Sequence, residues 1–283
     1  MSGSIPRSYP IRHEEEDLEI SLVEIDRLLL HEETIPEMLQ ALTSKILKDE
    51  RQISPVIVDG KTLVVLDGMH RVEALRRLKC RFICACFVDY MSERIRVERW
   101  CRTVSEWFDP IIVFEKTGLE LIPVSIEASI EDKPLLILSN NRYLIKPSKE
   151  GIQSAFEAVR MLETYLKHMD NQVGYDTEHM ARERLEAGSI FAVICPPKID
   201  KKHVLESALN ERLFIPKATR HVFPARVIAA DAPLPLLQNK SLSIQKANAI
   251  FLEALKHKRL KHLQPRAILN GRRYEEDLYL FES

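Results

Sequence analysis

The chain has 283 residues, of which 45% are hydrophobic, and its 41 basic and 42 acidic residues leave a formal net charge of -1. This composition predicts a globular protein of one large or two modest domains, with no bulk attraction to nucleic acid. No apolar run approaches the ~20 residues that span a bilayer, and the acidic N-terminus lacks the apolar region of a signal peptide. A cytoplasmic protein without membrane partners is therefore expected.

The five cysteines are an odd number, and they show no spacing typical of a disulfide framework or of a zinc site. Cys84 and Cys86 alternate with Ala85 inside an apolar run that predicts a buried strand. Reduced thiols packed in the core are therefore expected.

In the first part of the chain, residues 1–17 are polar and predicted to be flexible. Apolar periodicity then predicts a mixture of strands and helices. The predicted elements are a strand at 18–22, a helix at 37–48, strands at 55–58 and 62–66 that form a hairpin, a helix from about 69, a strand at 82–88 and a helix at 92–107.

A change in composition near Asp109-Pro110 predicts a soft domain boundary, so that the chain divides into 1–17, 18–108, 109–240 and 241–283. The second part has the same mixed character as the first. Its predicted elements are a hairpin at 135–145 that turns at Asn140-Asn141, a helix at 154–169, a strand at 190–195, a helix at 200–210, a loop containing Thr219, a helix at 244–258 and a C-terminal strand. Mixed α/β (α+β) is the predicted fold class.

The most informative stretch runs from an apolar strand, Val64–Leu66, through Asp67-Gly68 into an amphipathic helix. Backbone N–H groups and the positive end of the helix dipole point at whatever lies before the first turn, and Gly68 permits close approach. His70 and Arg71 add side-chain donors. The pattern predicts a phosphate site, although a tight turn capped by Asp67 explains the same residues.

Three further segments carry residues suited to chemistry, although each has an ordinary structural explanation. Taken alone, Glu32 is typical of a solvated surface residue, Trp100 of a core residue, and Lys217 to His221 of a basic loop. The segments are Leu30-His31-Glu32, Trp100, and Pro216-Lys217-Ala218-Thr219-Arg220-His221.

The Asp67-Gly68-Met69-His70-Arg71 turn resembles that of the ParB/sulfiredoxin superfamily, which uses it to hold nucleotide phosphates. Sulfiredoxins have a reactive Cys where this chain has Met69, and a thioether supplies no thiolate nucleophile. ParB-type partition proteins have Gly-Glu-Arg-Arg there, followed by helix-turn-helix segments for which we find no counterpart. In the free L-serine kinases, by contrast, all the motifs above have matches in the same order.

The resemblance to free L-serine kinases implies a ParB/sulfiredoxin-like nucleotide-binding domain at 18–108, and at 109–240 a second mixed α/β domain that contributes the Thr-Arg-His motif. It further implies a kinase that makes O-phospho-L-serine, as in archaeal cysteine biosynthesis or a bacterial siderophore pathway. Mg²⁺ is the implied cofactor, ADP or ATP the phosphoryl donor, and L-serine the other partner.

The resemblance also assigns a role to each matching residue. Glu32 and Asp67 are the implied catalytic carboxylates, and Asp67 is in addition the implied Mg²⁺ ligand. Archaeal members usually have a His where Met69 stands, so a hydrophobic residue there is closer to the siderophore type, whereas the retained His221 is closer to the archaeal type. The choice between ADP and ATP therefore stays open. The implied nucleotide ligands are Gly68, Met69, His70 and Arg71, and the implied substrate ligands are Trp100, Lys217, Thr219, Arg220 and His221.

Two alternatives remain open from the sequence. A ParB-like nucleotide-dependent switch that binds DNA or a protein partner explains the phosphate turn, and a kinase of another small hydroxylated metabolite explains all the motifs. The basic runs near Arg76 and Lys256 lie on or beside amphipathic helices, which favours a solvated face over a nucleic-acid surface. Oligomeric state and the role of the segment after residue 240 are not fixed by the sequence.

Overall fold

The computed structural model describes residues 7–14, 16–125, 130–269 and 271–282. These ranges contain more strands than helices, and most of the strands are short. The strands are β1 (Tyr9–His13), β2 (Glu16–Glu24), β3 (Arg51–Gln52), β4 (Val56–Asp59), β5 (Val65–Asp67), β6 (Phe82–Val88), β7 (Arg96–Val104), β8 (Glu120–Pro123), β9 (Leu135–Leu138), β10 (Arg142–Lys146), β11 (Val173–Thr177), β12 (Ala192–Cys195), β13 (Thr219–Val222), β14 (Ala225–Ile228), β15 (Ala232–Pro233), β16 (Arg259–Leu263), β17 (Ile268–Leu269), β18 (Arg272–Arg273) and β19 (Asp277–Glu282).

Helices alternate with these strands, which confirms the predicted mixed α/β class. The helices are α1 (Pro36–Asp49), α2 (Met69–Arg77), α3 (Pro110–Thr117), α4 (Ile152–His168), α5 (Glu178–Glu186), α6 (Lys201–Leu209), α7 (Leu234–Leu237) and α8 (Ile244–Lys256), with a 3-10 turn at Ile25–Arg27. Among the residues described, no helix is long and apolar enough to cross a membrane.

The chain folds into two compact units. Unit 1 comprises residues 1–96, 204–213 and 221–283, and unit 2 comprises 97–203 and 214–220. The division differs from the boundaries predicted at residues 108 and 240, because the chain returns to unit 1 twice and its C-terminal part is integral to that unit. Composition along a chain carries no trace of such a return.

Unit 1 is built on a five-stranded sheet in the order β1-β2-β6-β4-β5, in which only β4 and β6 run parallel. Strand β6 is buried along its whole length, as its continuous apolar sequence requires. Helix α8 packs on β2, where the Leu22 N–H donates to Asn248 Oδ1 at 2.9 Å. A second sheet, β14-β19-β16, is formed entirely by residues after 220.

Unit 2 contains a sheet in the order β11-β7-β12-β9-β10-β8, with β13 paired to β7. The predicted hairpin is confirmed as β9 and β10. A buried cluster that includes Cys101, Leu135, Val193 and Cys195 forms its core. All five cysteines of the chain are buried and free, as expected for thiols packed in the interior.

Three sequence predictions of secondary structure are wrong. The segment 92–107 is not a helix but contains β7, whose inward positions include Arg99 and Arg102, so that buried charges hide the strand pattern. Thr219 lies in β13 and not in a loop. Residues 1–6 and 15 of the segment predicted to be flexible lie outside the described residues, whereas Tyr9–His13 pair with β2.

Candidate functional site

The predicted strand, turn and helix are confirmed around Gly68. Strand β5 ends at Asp67, Gly68 adopts φ +105°, and α2 begins at Met69. A Cβ atom at Gly68 would lie 2.7 Å from Val56 Cγ1, so both the backbone conformation and the space require glycine. The first N–H groups of a helix have no partner inside it, and at this point they mark the favoured place for an anion.

Asp67 lies between two arginines. Its Oδ2 accepts from Arg71 at 3.0 Å and from Arg226 at 2.8 Å, and Arg226 also pairs with Glu276. Burial alone raises the pKa of Asp67, but the two guanidinium groups outweigh this and hold the pKa well below its usual range. The carboxylate therefore stays ionised and orients both arginines.

The other two side chains of the turn are also held in place. Arg71 donates to the backbone carbonyl oxygens of Ser54, at 3.0 Å, and of Pro55. His70 Nε2 accepts from the Ile35 N–H at 2.9 Å, which places the proton of a neutral His70 ring on Nδ1. The turn is thus pre-organised before any ligand enters.

A cavity of about 410 Å³ opens beside this turn within unit 1. Four arginines line it, Arg51, Arg71, Arg226 and Arg272, and the Arg272 guanidinium lies over the Tyr274 ring at 4.5 Å. Lys45 and the carboxylates of Asp49 and Asp67 also line the cavity, together with apolar side chains from α1 and β14. A cavity of this size, with more cations than carboxylates and an aromatic ring in its lining, suits a small anionic ligand with a flat apolar part.

Glu32 is buried, with 4% of the residue exposed, and is not the solvated surface residue that its sequence context alone suggests. Its Oε1 lies 3.7 Å from His31 Nε2. His31 donates through Nδ1 to the backbone oxygen of Val65 at 2.8 Å, and Ser207 Oγ donates to the backbone oxygen of His31 at 3.2 Å. The backbone and ring of His31 are therefore held in place, and the His31 ring is bonded to the strand that ends at Asp67.

His221 completes this buried cluster of unit 1. Its ring lies edge-on to the ring of His31, with centroids 5.4 Å apart, and stacks on Phe223. Its Nε2 is 2.9 Å from the hydroxyl of Tyr90, which is fully buried. The structure therefore places two predicted site residues, His221 and Glu32, next to the ring of His31.

In unit 2, two predicted site residues lie near the aromatic ring of a third, Trp100. Lys217 Nζ lies 5.4 Å from the centroid of the Trp100 ring, and the Arg220 guanidinium lies 5.8 Å from it. Arg220 also pairs with Glu98, and Thr219 is buried. Cations over an indole face form a favourable contact, so Trp100 is more than an inert core residue.

Sequence reasoning missed Tyr90, Arg226, Arg272 and Tyr274. Arg226 and Asp67 are 159 residues apart in the chain, and no motif connects them. Local patterns report periodicity and turns, whereas these four residues become notable only through the side chains that they contact. The sequence marks only Arg226 among these four residues, because it is an arginine in an otherwise apolar strand.

No protein-family model matches the chain. It is similar to an ATP-dependent L-serine kinase of Desulfurococcus mucosus, with 25% identity over 251 residues that cover 83% of this chain and 94% of the relative. An ADP-dependent L-serine kinase of Thermococcus kodakarensis is 23% identical and covers 75% and 90%, respectively. A ParB-like protein of Sulfolobus acidocaldarius is 26% identical and covers 68% and 85%.

Solved structures give the same result for the fold. A free serine kinase in complex with AMP has a TM-score of 0.67 and 23% identity, and the match covers 77% of this chain and 93% of that one. SbnI from Staphylococcus aureus, with a C-terminal truncation, also has a TM-score of 0.67, at 17% identity over 83% of this chain and 96% of that one. These findings confirm the resemblance that the motifs indicated, because the chain is similar to proteins named as L-serine kinases over most of its length.

Proposed function

We propose that the protein is a kinase that transfers a phosphoryl group from ADP or ATP to the hydroxyl of free L-serine, giving O-phospho-L-serine. The observation that carries the proposal is the burial of Glu32, whose neighbour His31 is hydrogen-bonded to the strand that leads into an arginine-lined cavity. Relatives named as L-serine kinases match over most of the chain, which supports this acceptor. The free thiols are in keeping with a cytoplasmic enzyme.

Phosphoryl transfer needs a base for the acceptor hydroxyl and cations for the charge that spreads over the moving group. We assign Glu32 as the base, because a buried carboxylate is suited to take the serine proton as the oxygen attacks. Gly68, Met69, His70 and Arg71 hold the nucleotide phosphates, with the backbone at the start of α2 and the side chains of His70 and Arg71 as donors.

Arg226 and Arg272 extend the cationic wall of the cavity, and Tyr274 offers a ring on which a nucleobase can stack. The residues that we assign to binding serine are Trp100, Lys217, Thr219, Arg220 and His221. Because these residues combine cations with a hydroxyl, they are suited to a carboxylate and to the transferred phosphate.

Mg²⁺ fits the donor set at Asp67. Both arginine bonds to this residue end on Oδ2, so that Oδ1 is the oxygen that we assign to a cation. Mg²⁺ is commonly held by one or two carboxylates together with nucleotide phosphates, and a metal bound there neutralises charge on the phosphoryl group. The fixed Asp67 would then orient the phosphate chain.

The test is to follow O-phosphoserine, AMP and ADP in reactions of purified protein with L-serine, Mg²⁺ and either ADP or ATP. Product with one nucleotide identifies the donor. Glu32→Gln should lower kcat by at least about 100-fold with nucleotide affinity retained, since general-base catalysis contributes roughly 10²–10⁴-fold. Glu37→Gln, an exposed carboxylate at the start of α1, is the matched control and should keep full activity.

Full activity of the Glu32→Gln enzyme would remove Glu32 from its role. Nucleotide binding without phosphoserine would redirect the proposal to another hydroxylated acceptor, which homoserine and threonine would reveal. The ParB-like switch is the less favoured function, because the match to the ParB-like protein covers 68% of the chain against 83% for a kinase. Salt-sensitive duplex binding that changes with nucleotide would support that switch.

A further inference from the structure

Two histidines and an aspartate from opposite ends of the chain meet in unit 1. His13 is the last residue of β1, His262 lies in β16, and Asp277 is the first residue of β19. One ligand atom from each of the three lies within 4.8 Å of the others. None of them belongs to the residues assigned above to nucleotide or serine.

His13 is set up to offer a nitrogen lone pair. The residue is buried, and its Nδ1 is 3.0 Å from the Tyr279 hydroxyl, which also lies 3.2 Å from the backbone oxygen of Arg12 as its donor. With the hydroxyl proton on the Arg12 oxygen, the hydroxyl accepts from His13 Nδ1, and the lone pair of a neutral His13 ring is on Nε2. A metal-binding histidine has this same arrangement, with the other nitrogen fixed by a second hydrogen bond.

His262 and Asp277 are already adjacent. His262 Nε2 lies 2.6 Å from Asp277 Oδ1, and the His262 ring stacks on Tyr279 with centroids 4.9 Å apart. About 39% of the His262 side chain is exposed, which gives a metal ion and a water molecule access from solvent. Tyr279 therefore holds both imidazole rings of the cluster, one through its hydroxyl and one through its face.

We propose that His13, His262 and Asp277 form a Zn²⁺ site. Two imidazoles and one carboxylate, with water as the fourth ligand, are a donor set that Zn²⁺ accepts, whereas Mg²⁺ and Ca²⁺ prefer oxygen alone. Tetrahedral metal–ligand bonds of about 2.0–2.1 Å place the ligand atoms about 3.3 Å apart. The three ligand atoms here lie within 4.8 Å of one another, so the most distant two must approach each other by at most about 1.5 Å when the metal binds. Because His262 is partly exposed, it is the ligand that can move.

The position of the site predicts a structural effect of the metal. It would join β1 of the five-stranded sheet to β16 and β19 of the three-stranded sheet. Asp277 is paired with Ala225 in the parallel β14–β19 ladder, and the next residue of β14 is Arg226, the partner of Asp67. Zn²⁺ would thus brace the strand that carries Arg226 without entering the reaction.

The test uses full-length protein without a histidine tag, stripped of metal by a chelator. Zn²⁺ is titrated in competition with a chromophoric chelator, and Co²⁺ is used as a spectroscopic substitute. The wild type should bind one Zn²⁺ per chain, give the visible absorption of tetrahedral Co²⁺, and show a higher Tm with Zn²⁺. His262→Ala and Asp277→Asn should each weaken Zn²⁺ binding by more than about 10-fold and abolish the Co²⁺ band.

His257→Ala is the matched control. This histidine is 79% exposed and lies 3.7 Å from Glu253, so it offers one histidine–carboxylate pair without a second imidazole. Its loss should leave Zn²⁺ affinity unchanged. Absence of a Co²⁺ band in the wild type, or equal Zn²⁺ affinity in all three variants, would overturn the site. Both readouts are independent of kinase activity, so the outcome does not depend on the proposed function.

Discussion

Arg102 is the most deeply buried charge in unit 2, and its removal should show how the Pro216-Lys217 segment is anchored. The guanidinium is fully buried and donates to Glu163 Oε2 at 2.9 Å. It also donates to the backbone oxygens of Pro216 at 2.8 Å and Lys217 at 3.0 Å. Arg102→Met keeps most of the volume while deleting every one of these bonds.

The expected cost follows from what is left behind. Removing one partner of a buried ion pair destabilises a protein by roughly 3–5 kcal/mol, because the remaining charge is uncompensated. Glu163 keeps hydrogen bonds from Lys167, at 2.6 Å, and from the Tyr175 hydroxyl, which moderates the loss. The backbone carbonyl oxygens that lose their hydrogen-bond donor increase the loss of unfolding free energy. We therefore expect the free energy of unfolding to fall by about 3 kcal/mol.

Urea denaturation followed by circular dichroism measures this change. Lys146→Ala is the control. Lys146 Nζ lies 2.7 Å from Glu120 Oε2, but the two side chains are 55% and 60% exposed, and such a surface pair contributes no more than about 1 kcal/mol. Since Lys217 is one of the residues proposed to bind serine, Arg102→Met should also raise the KM for serine more than the KM for nucleotide. If the two variants lose equally little stability, the guanidinium is not the anchor that its contacts indicate.

Three further predictions concern other parts of the chain. Burial raises the pKa of Glu178, but hydrogen bonds and ion pairs from two arginines lower it from 4.5 to about 2. The contribution of Glu178 to stability is therefore present above pH 4.5 and lost as the pH falls towards 2. The urea midpoint should drop over this pH range, and it should drop less steeply in the Glu178→Gln variant. Gly68→Ala should cost about 1–3 kcal/mol of unfolding free energy and weaken nucleotide binding in calorimetry, because of its φ of +105° and the contact with Val56; unchanged affinity would contradict this. Burial raises the pKa of Cys80 and of Cys86 to about 12, so native protein should react with a thiol reagent far more slowly than urea-unfolded protein, and rapid native labelling would refute their inertness.

Much of the fold was predictable because its signals are local. The β9–β10 hairpin, helix α4 and the turn at Gly68 each follow from residues that are adjacent in sequence. Strand β7 was not predictable in this way. It buries Arg99 and Arg102, and their carboxylate partners Glu178 and Glu163 lie 79 and 61 residues away. A local pattern cannot show that a charged residue will be paired in the interior.

Local sequence patterns also fail to show the distant partners of the residues in the candidate site. The Asp67 turn predicts where an anion can bind, but the carboxylate of Asp67 by itself would repel that anion. Arg226 and Arg272 resolve the conflict, because their charges, added to that of Arg71, exceed the charges of Asp67 and of Glu276, which pairs with Arg226. Asp67 then holds the guanidinium groups of Arg71 and Arg226 at the cavity wall before a phosphate arrives, which reduces the cost of ordering them on binding. The motif therefore supplies the backbone turn at which an anion can bind, and arginines distant in sequence supply the positive charge of the site.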